Sequence, residues 1–417
     1  MNNFFSTAYE ILNRVYADGA FLKIALQDLP EDAENRALVT KLCYGTVETD
    51  AKYHLQISRL TKGKQLKPHV RLILKMAMFL LCDLRRPPYA TVSVAVDFSK
   101  TKDKGASAGL INAVLRNFLR EGMQIVLPER KFERLAATYG YPLFAVKRLF
   151  HTYGEEAERI MQGATPVNSI RFHKGTDGEA YLTERGIAYE TSPFFNVFFV
   201  HGFSRDEGYK KGQYTFQSVG SVAICDMIEG ADALLDVCAA PGGKSVYLAE
   251  KCGTVMAGEL HAHRVGLIED YAKRMHANNV TAVNQDGTVF NPAWRESFSA
   301  VLCDVPCSGY GVLKENPDIL LRSSDRDFSS LTPVQTDILQ TASAYVKKGG
   351  NLYYSTCTLF KEENDEVVGA FLKRNPNFSM EKTTSPLPGK STKYGLQFLP
   401  HTAYGAGFYF CKLKRNV

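Results

Sequence analysis

Two cysteines carry the most reactive chemistry in this 417-residue chain. Cys307 stands in Asp304-Val-Pro-Cys307-Ser-Gly and Cys357 in Ser355-Thr-Cys357-Thr, each just past a short apolar run that reads as a strand. Two thiols on one rim suggest a covalent nucleophile and a second group that handles a proton. A lone buried cysteine is ordinarily a small hydrophobe. That is the reading for Cys43, Cys82, Cys225, Cys411 and, inside its strand, Cys303. Four acidic residues recur in similar positions: Asp236, Glu259, Asp286 and Asp304 each end or follow a short apolar run. Carboxylates at the ends of successive parallel strands converge on one edge of a doubly wound sheet, where such folds bind ligands. Glu259 follows Asp236 by 23 positions, near the offset of about 20 at which dinucleotide folds grip a ribose diol.

The element that must position these groups is Leu234–Ser245, LLDVCAAPGGKS. An apolar run, Ala233 to Val237, predicts a buried parallel strand. Small residues and Pro241-Gly242-Gly243 then turn the chain into a predicted helix from Lys244 to Lys251. Strand, glycine loop and helix together bring a ligand up to bare backbone. Further strands are expected at 254–259, 281–284, 300–304 and 350–355, with helices near 332–345 and 362–374 and two late strands near 396–399 and 407–414. Strands alternating with helices predict a parallel-rich α/β domain with an antiparallel edge.

Ahead of it, the spacing of Ala8, Ile11, Leu12, Val15 and Tyr16, and of Leu110, Ile111, Val114, Leu115 and Phe118, predicts an all-α bundle. Its central helix is expected at Val70–Leu84, stopped by Pro87-Pro88. Linker helices follow at 133–139 and 142–153. From Pro166 to about Phe216 the pattern changes to short strands, 169–173 and 194–200, around a helix at 178–185. The aromatic run 194–200 reads as core, with a minor chance that some rings face nucleic acid. The expected domains are 1–125, helical; 126–215, linker helices and a small α+β subdomain; and 216–417, Rossmann-like α/β.

Hydrophobic residues make up 45% and charged residues 23%, the balance of a globular protein. No apolar run reaches the roughly 20 residues of a membrane span, and Met1–Phe5 has no basic region ahead of an apolar core, so neither a membrane anchor nor a secretory signal is expected. Nine cysteines without paired metal-ligand spacing predict reduced thiols in a cytoplasmic protein and no metal site. Residues 1–130 hold 19 lysines and arginines against 13 aspartates and glutamates, an excess equal to the whole chain's +6. That suits contact with a polyanion, although a solvated helical surface explains it nearly as well.

DVCAAPGGKS, DVPCSGYGVLKENPDI and YSTCT resemble the signature motifs of the RNA 5-methylcytosine methyltransferases of the NOL1/NOP2/Sun family, from Gly212 to the C-terminus. RALVTKLCYGTVE and GLINAVLRNFLRE resemble the NusB-like RNA-binding domain of the small-subunit ribosomal RNA methyltransferase B type. The resemblance implies S-adenosylmethionine as cofactor, 16S ribosomal RNA as substrate and a monomeric enzyme. It implies Cys357 as nucleophile on cytosine carbon 6, Cys307 in proton removal or release, and Asp304 steadying the base. The cofactor would lie along Cys238, Ala239, Ala240, Pro241, Gly242, Gly243 and Lys244, with Glu259 on the ribose, Asp286 near the adenine and Asp304 close by. Lys244 could equally face the substrate or cap the loop. Two positions depart from the family pattern: Gln217-Ser218-Val219 replaces an acidic pair, and Phe144 stands for a tryptophan.

Other readings are methylation of transfer or another RNA, a DNA enzyme that uses Cys307 as nucleophile, and a non-catalytic RNA-binding factor for ribosome assembly. An amino-methylating enzyme is disfavoured, because Asp304-Val-Pro-Cys307 lacks the aromatic expected after Asp-Pro-Pro.

Overall fold

The computed structural model describes residues 4–27, 29, 35–165, 167–322 and 324–416. Pro166 and Met1–Asn3 lie outside them. Two compact units emerge: Met1–Met161 with Glu315–Ser324, and Gln162–Lys314 with Asp325–Val417.

The first unit is helical. Its core helix, Pro68–Cys82, is buried along nearly its whole length. Pro68 begins it and Pro88 begins the next helix, Pro88–Asp103, positions where a missing N–H costs nothing. The one charge on the core helix's buried face, Lys75, pairs with Asp50, which also accepts from Tyr16 Oη at 2.6 Å. The helices Lys131–Tyr139 and Leu143–Tyr153, expected as linkers, belong to this unit. Reciprocal bonds between the Gln56 side chain and the Val126 backbone, 2.8 and 3.1 Å, tie the connecting segment down. So does Glu315–Ser324, from the DVPCSGYGVLKENPDI stretch: the buried Asp318 accepts from Leu22 N at 3.3 Å and from Arg322 at 2.8 Å.

The second unit begins with four antiparallel strands, β1 Ser169–Phe172, β2 Tyr189–Thr191, β3 Val197–Val200 and β4 Tyr214–Phe216, in the order β2-β3-β1-β4. With helices at Gly178–Glu184 and Glu207–Lys210 this is a split βαβ unit. The strand expected at 194–200 starts only at Val197. Asn196 is left-handed, φ 57°, and its side chain accepts from Gly178 N at 3.0 Å and donates to Thr176 O at 2.8 Å, closing a turn. Phe194 is buried while Phe195 is 93% exposed.

One face of this sheet packs Phe172, Phe198 and Tyr214 against Tyr181. On the other, the buried Arg171 bonds Gln217 Oε1 at 3.0 Å, pairs with Glu250 and stacks over Tyr247. Gln217 in turn donates to Gly243 O at 3.2 Å, and Ser218 caps the helix Val219–Met227. The departure at 217–219 is thus a packing joint between the small sheet and the glycine loop.

The large sheet has nine strands among the described residues: β5 Ala233–Asp236, β6 Thr254–Glu259, β7 Val280–Asn284, β8 Phe298–Asp304, β9 Val346–Thr356, β10 Phe378–Glu381, β11 Gly389–Ser391, β12 Leu396–Phe398 and β13 Tyr409–Arg415. Strands β7-β6-β5-β8-β9 are parallel, and β13 runs antiparallel beside β9, flanked in turn by β12 and β10. The order reverses at β5, between β6 and β8. That is the switch point at which such sheets open a crevice.

Replacing Arg171 by Met leaves Glu250 without its cation and should cost ~2–4 kcal/mol of unfolding free energy in urea titration. Changing Glu250 to Leu as well should recover part of that loss. A double variant as unstable as the sum of both singles would refute the pairing argument.

Candidate active site

The glycine loop leaves β5 through a cis Ala240–Pro241 peptide. Gly242 has φ 103°, and a Cβ there would meet Ile268 Cα at 3.2 Å, so the position demands glycine. Gly243 has only ordinary contact room beside Tyr271, at 3.6 Å.

Cys238, Ala240, Glu259, Asp286 and Asp304 line one cavity of 270 Å³ over the switch point, closed by Pro306 and Ile338. Ala239 instead packs into the core with Ala257 and Ile268. Pro241, Gly242, Gly243 and Lys244 shape the loop without lining the cavity. Glu259 is buried; its Oε1 accepts from His261 N at 3.0 Å and from Arg264 at 3.3 Å. Asp286 uses Oδ1 for both the amide and the hydroxyl of Thr288, at 2.8 and 2.7 Å. Each keeps a second oxygen without a partner among the described residues, an acceptor free for a ligand's hydroxyl or amino group. Arg264, Thr288 and Ile338 were not anticipated, and nothing in their local sequence marks them.

Lys244 turns to Asp304. Its Nζ donates to Oδ2 at 2.7 Å, while Ser355 donates to Oδ1 at 2.7 Å. Burial alone would lower the Lys244 pKa, but Asp304, with Cys225 and Asp236 beyond it, more than offsets that and raises it. The lysine is therefore a fixed cation that pins the carboxylate.

Past the ends of β8 and β9, Cys307 Sγ and Cys357 Sγ lie 3.2 Å apart, and Cys357 N donates to Cys307 Sγ at 3.2 Å. Hydrogen bonding to Cys357, then burial, pushes the Cys307 thiol well up. The two thiols are in direct hydrogen-bond contact, and that contact makes the Cys307 proton harder to remove. Two close backbone approaches hold the Cys357 loop. Gly311 N donates to Cys357 O at 2.9 Å and Gly407 N to Gly311 O at 2.9 Å. A Cβ on Gly311 would lie 1.7 Å from Gly407 O. Underneath, a buried Glu363 that the sequence did not single out accepts from Ser308 N at 2.9 Å and Ser308 Oγ at 2.5 Å.

Asp236 is buried at the head of the loop. Its Oδ2 accepts from Ser245 at 2.7 Å, and its Oδ1 has no partner among the described residues. Burial, helped by Asp304 and opposed by the Ser245 bond, pushes its pKa up to about 7. The raised folded pKa means the native state binds the extra proton, so this contribution is complete below the unfolded value of about 3.9 and is lost as pH rises through about 7. Asp236→Asn should abolish this pH dependence. The stability difference, wild type minus variant, should fall by on the order of a few kcal/mol between pH 4 and 8 in denaturant titrations. A pH-independent difference would overturn it.

A family described as 16S rRNA methyltransferase RsmB/F matches residues 225–414, and the NusB family matches residues 6–120. The probable ribosomal RNA small subunit methyltransferase B of Bacillus subtilis is 30% identical over 97% of this chain and 96% of its own. The ribosomal RNA small subunit methyltransferase B of Yersinia pseudotuberculosis is 28% identical over 99% and 98%. Among solved structures, PH0851 superposes with a TM-score of 0.84 at 21% identity over 99% of both chains. NSun6 from Pyrococcus horikoshii gives 0.58 at 18% identity over 66% of this chain and 98% of its own; both share the fold. With helices and α/β unit each matched in turn, and a relative aligned along nearly its whole length, the chain belongs to the RsmB family of small-subunit ribosomal RNA methyltransferases with an N-terminal NusB domain.

Proposed function

We propose that the chain methylates carbon 5 of a cytidine in 16S ribosomal RNA, with Cys357 as a transient covalent nucleophile. The observation that carries this reading is the pair of thiols 3.2 Å apart at the ends of adjacent strands, beside the pinned Asp304. Carbon 5 of cytosine is a poor nucleophile. Addition of the Cys357 thiolate to carbon 6 makes the ring an enamine whose carbon 5 can take a methyl group. Asp304, held by Lys244 and Ser355, can accept a hydrogen bond from the cytosine amino group and so fix the ring over Cys357.

The donor fits the cavity. Glu259 and Asp286, which line it, each keep an acceptor oxygen without a partner among the described residues. When bound there, S-adenosylmethionine supplies an electrophilic methyl group, with Glu259 holding the ribose diol and Asp286 the adenine edge. After transfer, water takes the carbon-5 proton, the electrons of that bond re-form the 5,6 double bond, and the bond from carbon 6 to Cys357 breaks, releasing the thiolate. The Cys307 thiol, in hydrogen-bond contact with that sulfur, stabilises the departing thiolate. A free thiol is only a few per cent ionised at pH 7, so Cys357 gives its proton to water as it attacks, and the Cys307 hydrogen bond stabilises the thiolate then and again on release.

The N-terminal NusB domain, with its excess of lysine and arginine, adds affinity for the RNA. The proposed setting is the cytoplasm, and the proposed active form is a monomer. No helix among the described residues is long and apolar enough to cross a membrane.

Cys357→Ala should give neither methylated RNA nor a covalent complex. Cys307→Ala should still add to the base and transfer the methyl group, then stall, leaving protein linked to RNA on a denaturing gel. The opposite pattern would make Cys307 the nucleophile and the mechanism that of a DNA-type enzyme. Mass mapping of product RNA checks which atom and which nucleotide carry the methyl group.

A further inference from the structure

Glu363 has no exposed surface, yet it makes no ion pair among the described residues. Its Oε1 accepts from Ser308 N and from Gln335 Nε2, both at 2.9 Å, and its Oε2 accepts from Ser308 Oγ at 2.5 Å. Every partner is a donor, the pattern that suits an ionised carboxylate. Ser308 Oγ spends its one proton on Glu363, so the 2.7 Å contact with Thr358 Oγ1 must be a bond donated by Thr358. Gln335 Nε2 also donates to Pro306 O at 2.9 Å. One carboxylate therefore clasps the residue after Cys307 directly and the residue after Cys357 through Ser308. Tyr354 Oη fixes the Glu363 backbone from below, donating to its carbonyl at 2.6 Å.

We propose that Glu363 is the positioning residue of the two-thiol site, locking the Cys307 and Cys357 loops in register and making Cys357 the thiol that acts as nucleophile. The two sulfurs come from segments 50 residues apart, and their 3.2 Å contact needs both loops fixed. The clasp supplies that constraint without touching the substrate. Its negative charge adds to the Cys357 contact and burial in keeping the proton on Cys307. A neutral side chain of the same shape would keep much of the clasp and lose this bias.

The inference rests on the Cys357 mechanism only in its kinetic arm. In the RNA-free full-length protein, limiting iodoacetamide followed by mass mapping should label Cys357 ahead of Cys307. In Glu363→Gln the ratio should move toward Cys307 by about tenfold. Ser308→Ala, which keeps the charge and the backbone bond but cuts the link to Thr358, should move it in the same direction by less. In the methylation assay Glu363→Gln should lose about tenfold or more in kcat, with the KM for S-adenosylmethionine unchanged. A labelling ratio unmoved in both variants overturns the proposal. So does a kcat loss matched by an equal rise in that KM, which would mark a general structural defect. If labelling shifts as stated while Cys357→Ala still methylates RNA, the positioning role stands and the nucleophile assignment falls.

Discussion

The parallel pairing of β8 with β9 is the constraint on which the site depends. Asp304 lies opposite Ser355 in that register, and the chain reaches Cys307 and Cys357 a few residues beyond. A shift of one residue would turn every side chain to the other face of the sheet and separate both the Asp304–Ser355 bond and the sulfurs. The register is secured far from the chemistry, by the buried runs Ala300–Cys303 and Leu352–Tyr354 and by β13 on the far side of β9. The hydrophobic core thus fixes the contact between the two sulfurs.

Each buried charge near that contact is neutralised differently, and the differences track use. Asp304 has a full cation, Lys244, and a hydroxyl, Ser355, which hold both of its oxygens. Glu363 has only neutral donors, which hold it in place while leaving its field to act on the thiols. Arg171 is paired with Glu250 and ties the small sheet to the end of the helix that follows the glycine loop. Asp236 has one hydroxyl and, among the described residues, an unpartnered oxygen, and burial pushes its pKa up to about 7. In a low-dielectric interior an unpaired charge costs several kcal/mol, and shifting its pKa is the cheaper outcome.

Much of this was legible in the sequence because it is written in local pattern. The Ala233–Val237 run, the glycine loop, the acidic residues at the ends of four of the five parallel strands and the helical stripes of the first 120 residues all depend on neighbours a few positions away, and each element formed within a few residues of its expected place. The misread boundaries depend on distant partners. Nothing near Phe194–Asn196 says that Asn196 will bond Gly178, and nothing near 131–153 says that those helices will join the bundle. Glu363 escaped notice because an acidic residue at a helix start ordinarily reads as a solvated cap. Its partners lie 28 and 55 residues away. Asp318 was noticed only as part of a motif, and its bonds to the N-terminal helices span nearly 300 residues.

In the proposed mechanism the contact between the two thiols answers a chemical conflict. A single cysteine that is nucleophilic enough to add to carbon 6 is, by the same basicity, slow to leave. A second thiol in hydrogen-bond contact lowers the cost of the thiolate at both moments, since its hydrogen bond stabilises the charge on attack and on departure alike. The surroundings of Cys307 hold its proton in place: it is hydrogen-bonded to Cys357, half-buried and close to Glu363. Exchanging these surroundings between the two thiols would favour attack by Cys307, the order of the DNA enzymes. On this argument the choice between the two mechanisms lies in the charge and donors beneath the cysteines, which a motif centred on the thiols alone does not contain.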